Sequence, residues 1–386
     1  TISVNSDGSL ACFLPQLPQG ACRDYHQNQY HVTAELITWI ARRVWNFPRL
    51  REGQYDIISR LAQGRNTLGI LPTGAGKSLC FQLLAMLLPG ITLVISPLKS
   101  LMRDQFVNLC KSGVSGMEFI DSSKTSQERQ EVLAKLRSGQ LKLLYISPER
   151  LQIESFQLEL ADTIASYPIS LFAIDEAHCI SEWGHDFRPS YLRLCHFIAQ
   201  MHSPPICALT ATASHYVRQD ILTLLGLNPQ DTITPSSMDR QELSLQVKII
   251  DQQDDLHQEI VSTIDTDIPA VLGRPLEKIH DKSAGVVFTP YAAPQGRSTR
   301  PMGAEEVASL LKDRGLDCRC YHSQMPDGDR IEVQDQFKDN AFPLLVATKG
   351  YGMGIDKDNI DYIVHACAPA SLEAYYQEAG RAGRDG

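Results

Sequence analysis

The sequence predicts an α/β protein made of two doubly wound lobes, each built on a mainly parallel sheet, after a short N-terminal extension. Two observations carry this expectation. Short apolar runs rich in β-branched residues alternate with stretches whose apolar residues recur at helical spacing, the pattern of βαβ units buried on both faces. The alternation also stops once, at a polar stretch punctuated by two prolines, and then starts again.

The runs of the first series are "TLGIL", "ITLVIS", "KLLYIS", "SLFAID" and "ICALTA". Between them stand "KSLCFQLLAMLL", "LKSLMRDQFVNLC" and "SQERQEVLAKLRSG", each read as a crossover helix. The break is "LNPQDTITPSSMDRQELSLQ", with Pro229 and Pro235. The second series runs "AGVVFTP", a helix around "AEEVASLLKDRG", "DCRCYH", a helix around "RIEVQDQF", "PLLVAT", "DYIVHA" and a last helix "SLEAYYQEAGR". The expected divisions are 1–45 (an extension holding one helix, "TAELITWIARRVW"), 46–235 and 236–386.

Composition excludes several classes. With 43% hydrophobic and 21% charged residues the chain is neither disordered nor fibrous. No apolar run approaches the roughly 20 residues that span a bilayer, and no signal peptide opens it. The first residue is Thr1, so the true N-terminus is expected upstream. Ten cysteines without a C-x-x-C fit reduced thiols in an intracellular compartment and give no zinc signature. Cys318 and Cys320 should share one strand face. A net charge of −9 weighs against a broadly basic nucleic-acid surface, though a local groove can still be positive.

"LPTGAGKS" joins an apolar run to a helix. Gly74 and Gly76 let backbone N–H groups turn inward around a phosphate at a helix N-terminus. Lys77 would reach the β- and γ-phosphates, and the Ser78 hydroxyl would take a place on Mg²⁺. Leu71 stands where the general phosphate-loop pattern has its first glycine. "LFAIDEAH" supplies the second half: Asp175 ends an apolar run and can hold Mg²⁺ through water, while Glu176 can polarise an attacking water. A few residues on, "CISEWGHDFRPSY" offers Trp183 and Phe187 as platforms for unpaired bases, each worth ~1–3 kcal/mol on a single strand, with His185 and Arg188 adding hydrogen bonds or charge toward nucleic-acid phosphates.

Further segments complete an ordered set: "LREGQ" ahead of the phosphate loop, "ISPLKSLMRDQ", "ALTATA", "YHSQM", "VATKGYGMGIDK" and "YYQEAGRAGRDG". In this set the chain resembles the helicase core of the RecQ family, within superfamily 2 of DNA helicases, over roughly residues 45–386. It departs at Leu50 and Glu52, at Ser323 and Gln324, at Gly350 and Tyr351, and in the Pro/Gly/Arg loop of "VVFTPYAAPQGRSTRPMG", where Arg297 and Arg300 lie.

The resemblance implies two RecA-like lobes using ATP and Mg²⁺ to move along DNA 3′ to 5′, on single strands and tailed duplexes. It implies that Phe47 stacks on adenine, that Arg51 keeps its family position and Gln54 reads the purine edge, and that Thr73, Gly74, Ala75, Gly76, Lys77 and Ser78 hold the phosphates. Gln377, Arg381 and Arg384 would face the γ-phosphate, with Arg384 as the arginine finger. Asp356 would serve the ATP site, Thr348 the DNA backbone, and His178, Thr210 and Thr212 the coupling between them. The aromatic loop would report base contact to Asp175 and Glu176. Protein partners are expected through the 1–45 extension or the 291–303 loop, and no membrane. The family typically continues beyond this point into zinc-binding and winged-helix regions; within these residues no zinc site is expected. An RNA helicase of the same superfamily and an ATP-gated clamp within a larger assembly stay open as readings.

Overall fold

The computed structural model describes residues 2–4, 10–12, 32–164, 168–181, 187–191, 194, 197–198, 204–250, 255–292, 303–348 and 357–384. It divides into two compact units, Thr1–Met238 and Asp239–Gly386. At its start β1 (Ile2–Val4) and β2 (Leu10–Cys12) pair antiparallel.

In the first unit seven strands among the described residues form one sheet, ordered β5-β6-β4-β7-β8-β3-β9. They are β3 (Thr67–Ile70), β4 (Ile91–Ile95), β5 (Met117–Ile120), β6 (Leu143–Ile146), β7 (Ile169–Ile174), β8 (Ile206–Thr210) and β9 (Thr232–Ile233), and every pairing is parallel. Successive side chains point to opposite faces, so the sheet has two cores. Leu93, Ile95, Leu144, Phe172 and Ile174 face one, closed by α5 (Ser126–Arg137), α6 (Glu154–Ile164) and α7 (His215–Leu224). Val94, Tyr145, Leu171 and Ala173 face the other, closed by α1 (Ala34–Trp45), α2 (Gln54–Ala62), α3 (Lys77–Leu87) and α4 (Lys99–Lys111). Each large side chain fully buried there contributes about 1.5–3 kcal/mol. Helix α1 starts where Thr33 accepts from Leu36 N–H at 3.2 Å and ends at Asn46 in the left-handed region. Its Ile37, Ile40, Ala41 and Val44 belong to the core shared with α2 and α3.

The parallel arrangement decides where chemistry can gather. At the carboxyl ends of the adjacent strands β4, β7, β8 and β3 stand Ser96, Asp175, Thr210 and the phosphate-loop sequence. Open α/β sheets bind ligands at this edge.

The second unit holds a four-stranded parallel sheet, ordered β11-β12-β10-β13, from β10 (Ala284–Thr289), β11 (Cys318–Tyr321), β12 (Leu344–Thr348) and β13 (Ile360–His365). One face is covered by α8 (Leu256–Ser262), α9 (Ile268–Leu272), α10 (Leu276–His280) and α11 (Ala304–Asp313), burying Ile260, Ile268, Ile279, Val307 and Leu311 against Val287 and Val346. The other buries Phe337 of α12 (Asp327–Lys338) with Val286, Phe288 and Leu345. Helix α13 (Leu372–Ala379) follows β13. Cys318 and Cys320 both pack on the first of these faces. Arg297 and Arg300 lie outside the described residues. No helix among the described residues is long and apolar enough to cross a membrane.

Candidate functional site

Strand β3 hands the chain to the phosphate loop, whose entry is pinned by Leu71 N–H donating to the Thr210 carbonyl at 3.0 Å. Gly74 and Gly76 take φ of 78° and 71°, which L side chains resist, and α3 begins at Lys77. The first turn of α3 therefore presents N–H groups and the positive end of its dipole beside the Lys77 ammonium.

Gln54 fixes this loop from α2. Its Nε2 donates to the carbonyls of Ala75 at 2.8 Å and Gly76 at 3.0 Å, and its Oε1 accepts from Arg51 N–H at 2.8 Å. The Arg51 guanidinium donates to the Gly74 carbonyl. The two expected purine-side residues thus already hold the phosphate loop by its backbone. Phe47, at the end of the same approach, is exposed.

Ser78 and Asp175 meet through a residue that sequence reading did not single out. Gln105, on α4, donates from one Nε2 to Ser78 Oγ and to Asp175 Oδ2, both at 3.1 Å. Behind it Gln82 Nε2 lies 3.5 Å from Gln105 Oε1 and 3.1 Å from the Tyr145 hydroxyl. Asp175 is buried, its Oδ1 accepts from Glu176 N–H at 3.1 Å, and its own N–H donates to Ile95 at 2.8 Å. Burial, and then the Glu176 carboxylate, push the Asp175 carboxyl upward against the opposing pull of Lys77 and Gln105. Among the described residues no group of three His, Cys, Asp or Glu stands together as a metal site. A hydroxyl and a carboxylate oxygen reached by the same amide suit Mg²⁺ instead, which takes one or two protein oxygens and completes its shell with water and phosphate.

Glu176 has φ 50° and ψ 51°, a left-handed turn immediately after β7. Its Oε2 lies 3.3 Å from His178 Nδ1, which is also 3.0 Å from Thr210 Oγ1. Thr210 spends its one hydroxyl hydrogen on the Thr212 carbonyl at 2.9 Å. The contact from His178 therefore requires the proton on Nδ1, with Thr210 accepting. Glu176, partly exposed, joins the buried His178, Thr210 and Thr212 in one continuous line.

Arg188 N–H donates to the Cys179 carbonyl at 3.0 Å, closing the base of the aromatic loop. The Arg188 guanidinium donates to the Pro97 carbonyl at 2.6 Å and stands 3.5 Å from Glu149, so it braces the loop against "SPLKS" and "SPER". The buried Tyr191 hydroxyl reaches the Asp175 carbonyl at 3.4 Å. Phe187 is partly exposed; Trp183 and His185 lie outside the described residues.

In the second unit Thr348 ends β12 and is buried, paired in register with Thr289. Gln377 sits on α13, and Arg381, buried, and Arg384, partly exposed, follow it. Glu378 between them meets His365 Nε2 at 2.9 Å, and His365 stacks on Phe288. Asp356 lies outside the described residues. A signal for the Gln82–Gln105 chain was present in sequence: glutamine inside the otherwise apolar "SLCFQLLAMLL" is the kind of buried polar residue that needs a partner.

Known proteins carry the same plan. The DEAD/DEAH box helicase family matches residues 51–221, and the helicase conserved C-terminal domain matches 269–386. The chain is 38% identical to the ATP-dependent DNA helicase RecQ of Pasteurella multocida over 94% of its own length and 52% of that protein. It is 38% identical to the probable ATP-dependent DNA helicase RecS of Bacillus subtilis over 89% of its length and 63% of that protein. It thus spans about half to two-thirds of these curated relatives. In fold it is similar to the Mycobacterium smegmatis helicase Lhr bound to ssDNA and AMP-PNP (TM-score 0.65, 22% identity, 92% of this chain and 46% of that one). It is equally similar to the DEAD-box helicase Mss116 bound to ssRNA and UDP-BeF (TM-score 0.65, 14% identity, 93% and 74%). Two helicase regions in order, RecA-like sheets, and RecQ relatives matched over nine-tenths of its length make this chain a helicase core of the RecQ family, in superfamily 2.

Proposed function

We propose that this chain is the ATP-driven motor of a DNA helicase, coupling hydrolysis to 3′-to-5′ movement on single-stranded DNA and to unwinding of tailed duplexes. The observation that carries the reading is the meeting of Ser78 and Asp175 on one amide beside the phosphate loop. DNA is preferred over RNA as the track because the matched relatives bear the name DNA helicase.

In this reading Phe47, Arg51 and Gln54 receive adenine, and residues 73–78 enclose the phosphates, with Lys77 on the β- and γ-oxygens. Mg²⁺, held by Ser78 and through water by Asp175, would neutralise charge gathering between those phosphates. Glu176 orients the attacking water; its contact with His178 holds the carboxylate. Gln377, Arg381 and Arg384 serve the transferring phosphoryl group, and Asp356 supports them. Strand contact falls to Trp183, His185, Phe187, Arg188 and Thr348, with Arg188 also held to the Pro97 carbonyl. His178, Thr210 and Thr212 carry the state of the site to β8. The expected boundaries, 46–235 and 236–386 after an extension at 1–45, remain the working division of these duties.

The test compares ATP hydrolysis with DNA and RNA oligomers, then strand displacement on 3′- and 5′-tailed duplexes. Lys77→Ala and Glu176→Gln should each abolish DNA-stimulated hydrolysis. Trp183→Ala should bind nucleotide normally yet lose the stimulation. Equal stimulation by RNA, or displacement from 5′ tails alone, would overturn the reading.

A further inference from the structure

The polar stretch that opens the second unit does more than separate two units. Arg240, whose side chain is 11% exposed, points its guanidinium into the turn that follows α13. Its Nη1 donates to the Gly380 carbonyl at 3.2 Å, and its Nη2 to the carbonyls of Ala382 and Gly383, both at 2.9 Å. Glu242 pairs with Nε on the other edge of the same plane. These carbonyls lie where a helix ends and its own N–H donors run out. One guanidinium, presenting several donors in a fixed plane, satisfies three of them.

The turn is also tied on its far side. Gly383 N–H donates to the Ile360 carbonyl at 3.0 Å, at the start of β13. Gly383 has φ 62°, and a Cβ there would stand 3.3 Å from both Glu242 Cγ and Leu243 Cδ2. The segment 240–243 therefore lies directly on the turn, and glycine is what lets it do so. The two arginines expected at the phosphoryl group, Arg381 and Arg384, belong to this same turn.

We propose that Arg240 is a positioning residue: by gripping the carbonyls of Gly380, Ala382 and Gly383 it fixes the backbone from which Arg381 and Arg384 act. This rests on the ATPase reading above. Lysine cannot substitute, because a single ammonium nitrogen does not span carbonyls from Gly380 to Gly383 as a planar fork does.

The experiment measures DNA-stimulated kcat and the affinity for a fluorescent ADP in Arg240→Met and Arg240→Lys, each made alone and with Arg384→Ala. Misplacement of a catalytic group by about an ångström costs up to ~100-fold, so kcat should fall about 10- to 100-fold in both single variants. The phosphate loop belongs to the first unit, so ADP affinity should stay within about twofold. With Arg384 already removed, losing Arg240 should cost less than about twofold more. Full kcat in Arg240→Met, or the same fractional loss in both backgrounds, would overturn the proposal. Glu242→Gln, which leaves the guanidinium but loosens its orientation, gives the same comparison if Arg240→Met fails to fold. Should Lys77→Ala still hydrolyse ATP, the underlying reading fails; should it be inactive while Arg240→Met runs at full rate, only this inference fails.

Discussion

Gln105 donates to Asp175 at 3.1 Å, and the nitrogen it uses also reaches Ser78. A neutral amide at this point holds two oxygens ready without neutralising either. Because Gln105 rides on α4, which begins just after "SPL", a displacement of that segment passes directly to both oxygens.

Replacing Gln105 by leucine keeps the volume and removes the donor. Mg²⁺-dependent tightening of nucleotide binding should weaken about 10- to 100-fold, the usual loss when a residue supporting metal ligands is removed. Binding without Mg²⁺ should hardly change. Titrating a fluorescent ADP at several Mg²⁺ concentrations reads both; equal losses with and without the ion would contradict the assignment.

Gln54→Glu separates the two jobs of Gln54. The carboxylate still accepts from Arg51 N–H but cannot donate to Ala75 and Gly76, and it sets an anion against their carbonyls. Losing a charge-opposed buried contact of this kind costs about 1–3 kcal/mol. ATP affinity should drop by about 5- to 150-fold, and preference for ATP over GTP should narrow. Competition binding with the two nucleotides checks it.

Thr210→Val leaves His178 Nδ1 only Glu176 Oε2, at 3.3 Å, as acceptor and takes the hydroxyl donor from the buried Thr212 carbonyl, a loss of about 1–3 kcal/mol. Basal hydrolysis should persist while stimulation by DNA falls, and Thr210→Ser should restore it. A stimulation ratio unchanged in Thr210→Val would remove Thr210 from the coupling line.

Lys357 gives a pH signature. Burial holds its ammonium down to about 8, partly countered by Asp339 and Asp358, while its Nζ donates to Asn340 Oδ1 at 2.6 Å. The unfolded chain keeps the ordinary value near 10.5 and so binds more protons between the two. Stability must then rise as pH climbs from about 8 to 10.5, in proportion to that difference in bound protons. Urea midpoints at pH 7.5 and 9.5 should show wild type gaining on Lys357→Met; parallel midpoints would refute the shift.

Most strands were legible because both faces of a parallel sheet are buried, which leaves continuous apolar runs such as "ITLVIS" and "SLFAID". The phosphate loop was legible because its glycines and lysine are adjacent. Gln105 and Arg240 were not, because each acts on carbonyls or oxygens far along the chain: Gln105 on Ser78 and Asp175, Arg240 on Gly380 to Gly383. The region 256–280 carries no clear signal either. It breaks into short helices joined by a π-helical turn at Thr263–Asp267, which spoils any steady period.

The place of β3 in its sheet governs how this protein can be born. Both neighbours of that strand, β8 and β9, come far later in the chain: Thr67 must wait for Cys207, and Leu68 for Thr232. During synthesis the segment bearing "LPTGAGKS" leaves the ribosome with no strand to join. Pairings so distant in sequence are slow to close. Truncations that stop short of Ile206 should therefore yield chains whose amide protons in β3 exchange freely, however well β4, β6 and β7 have already assembled.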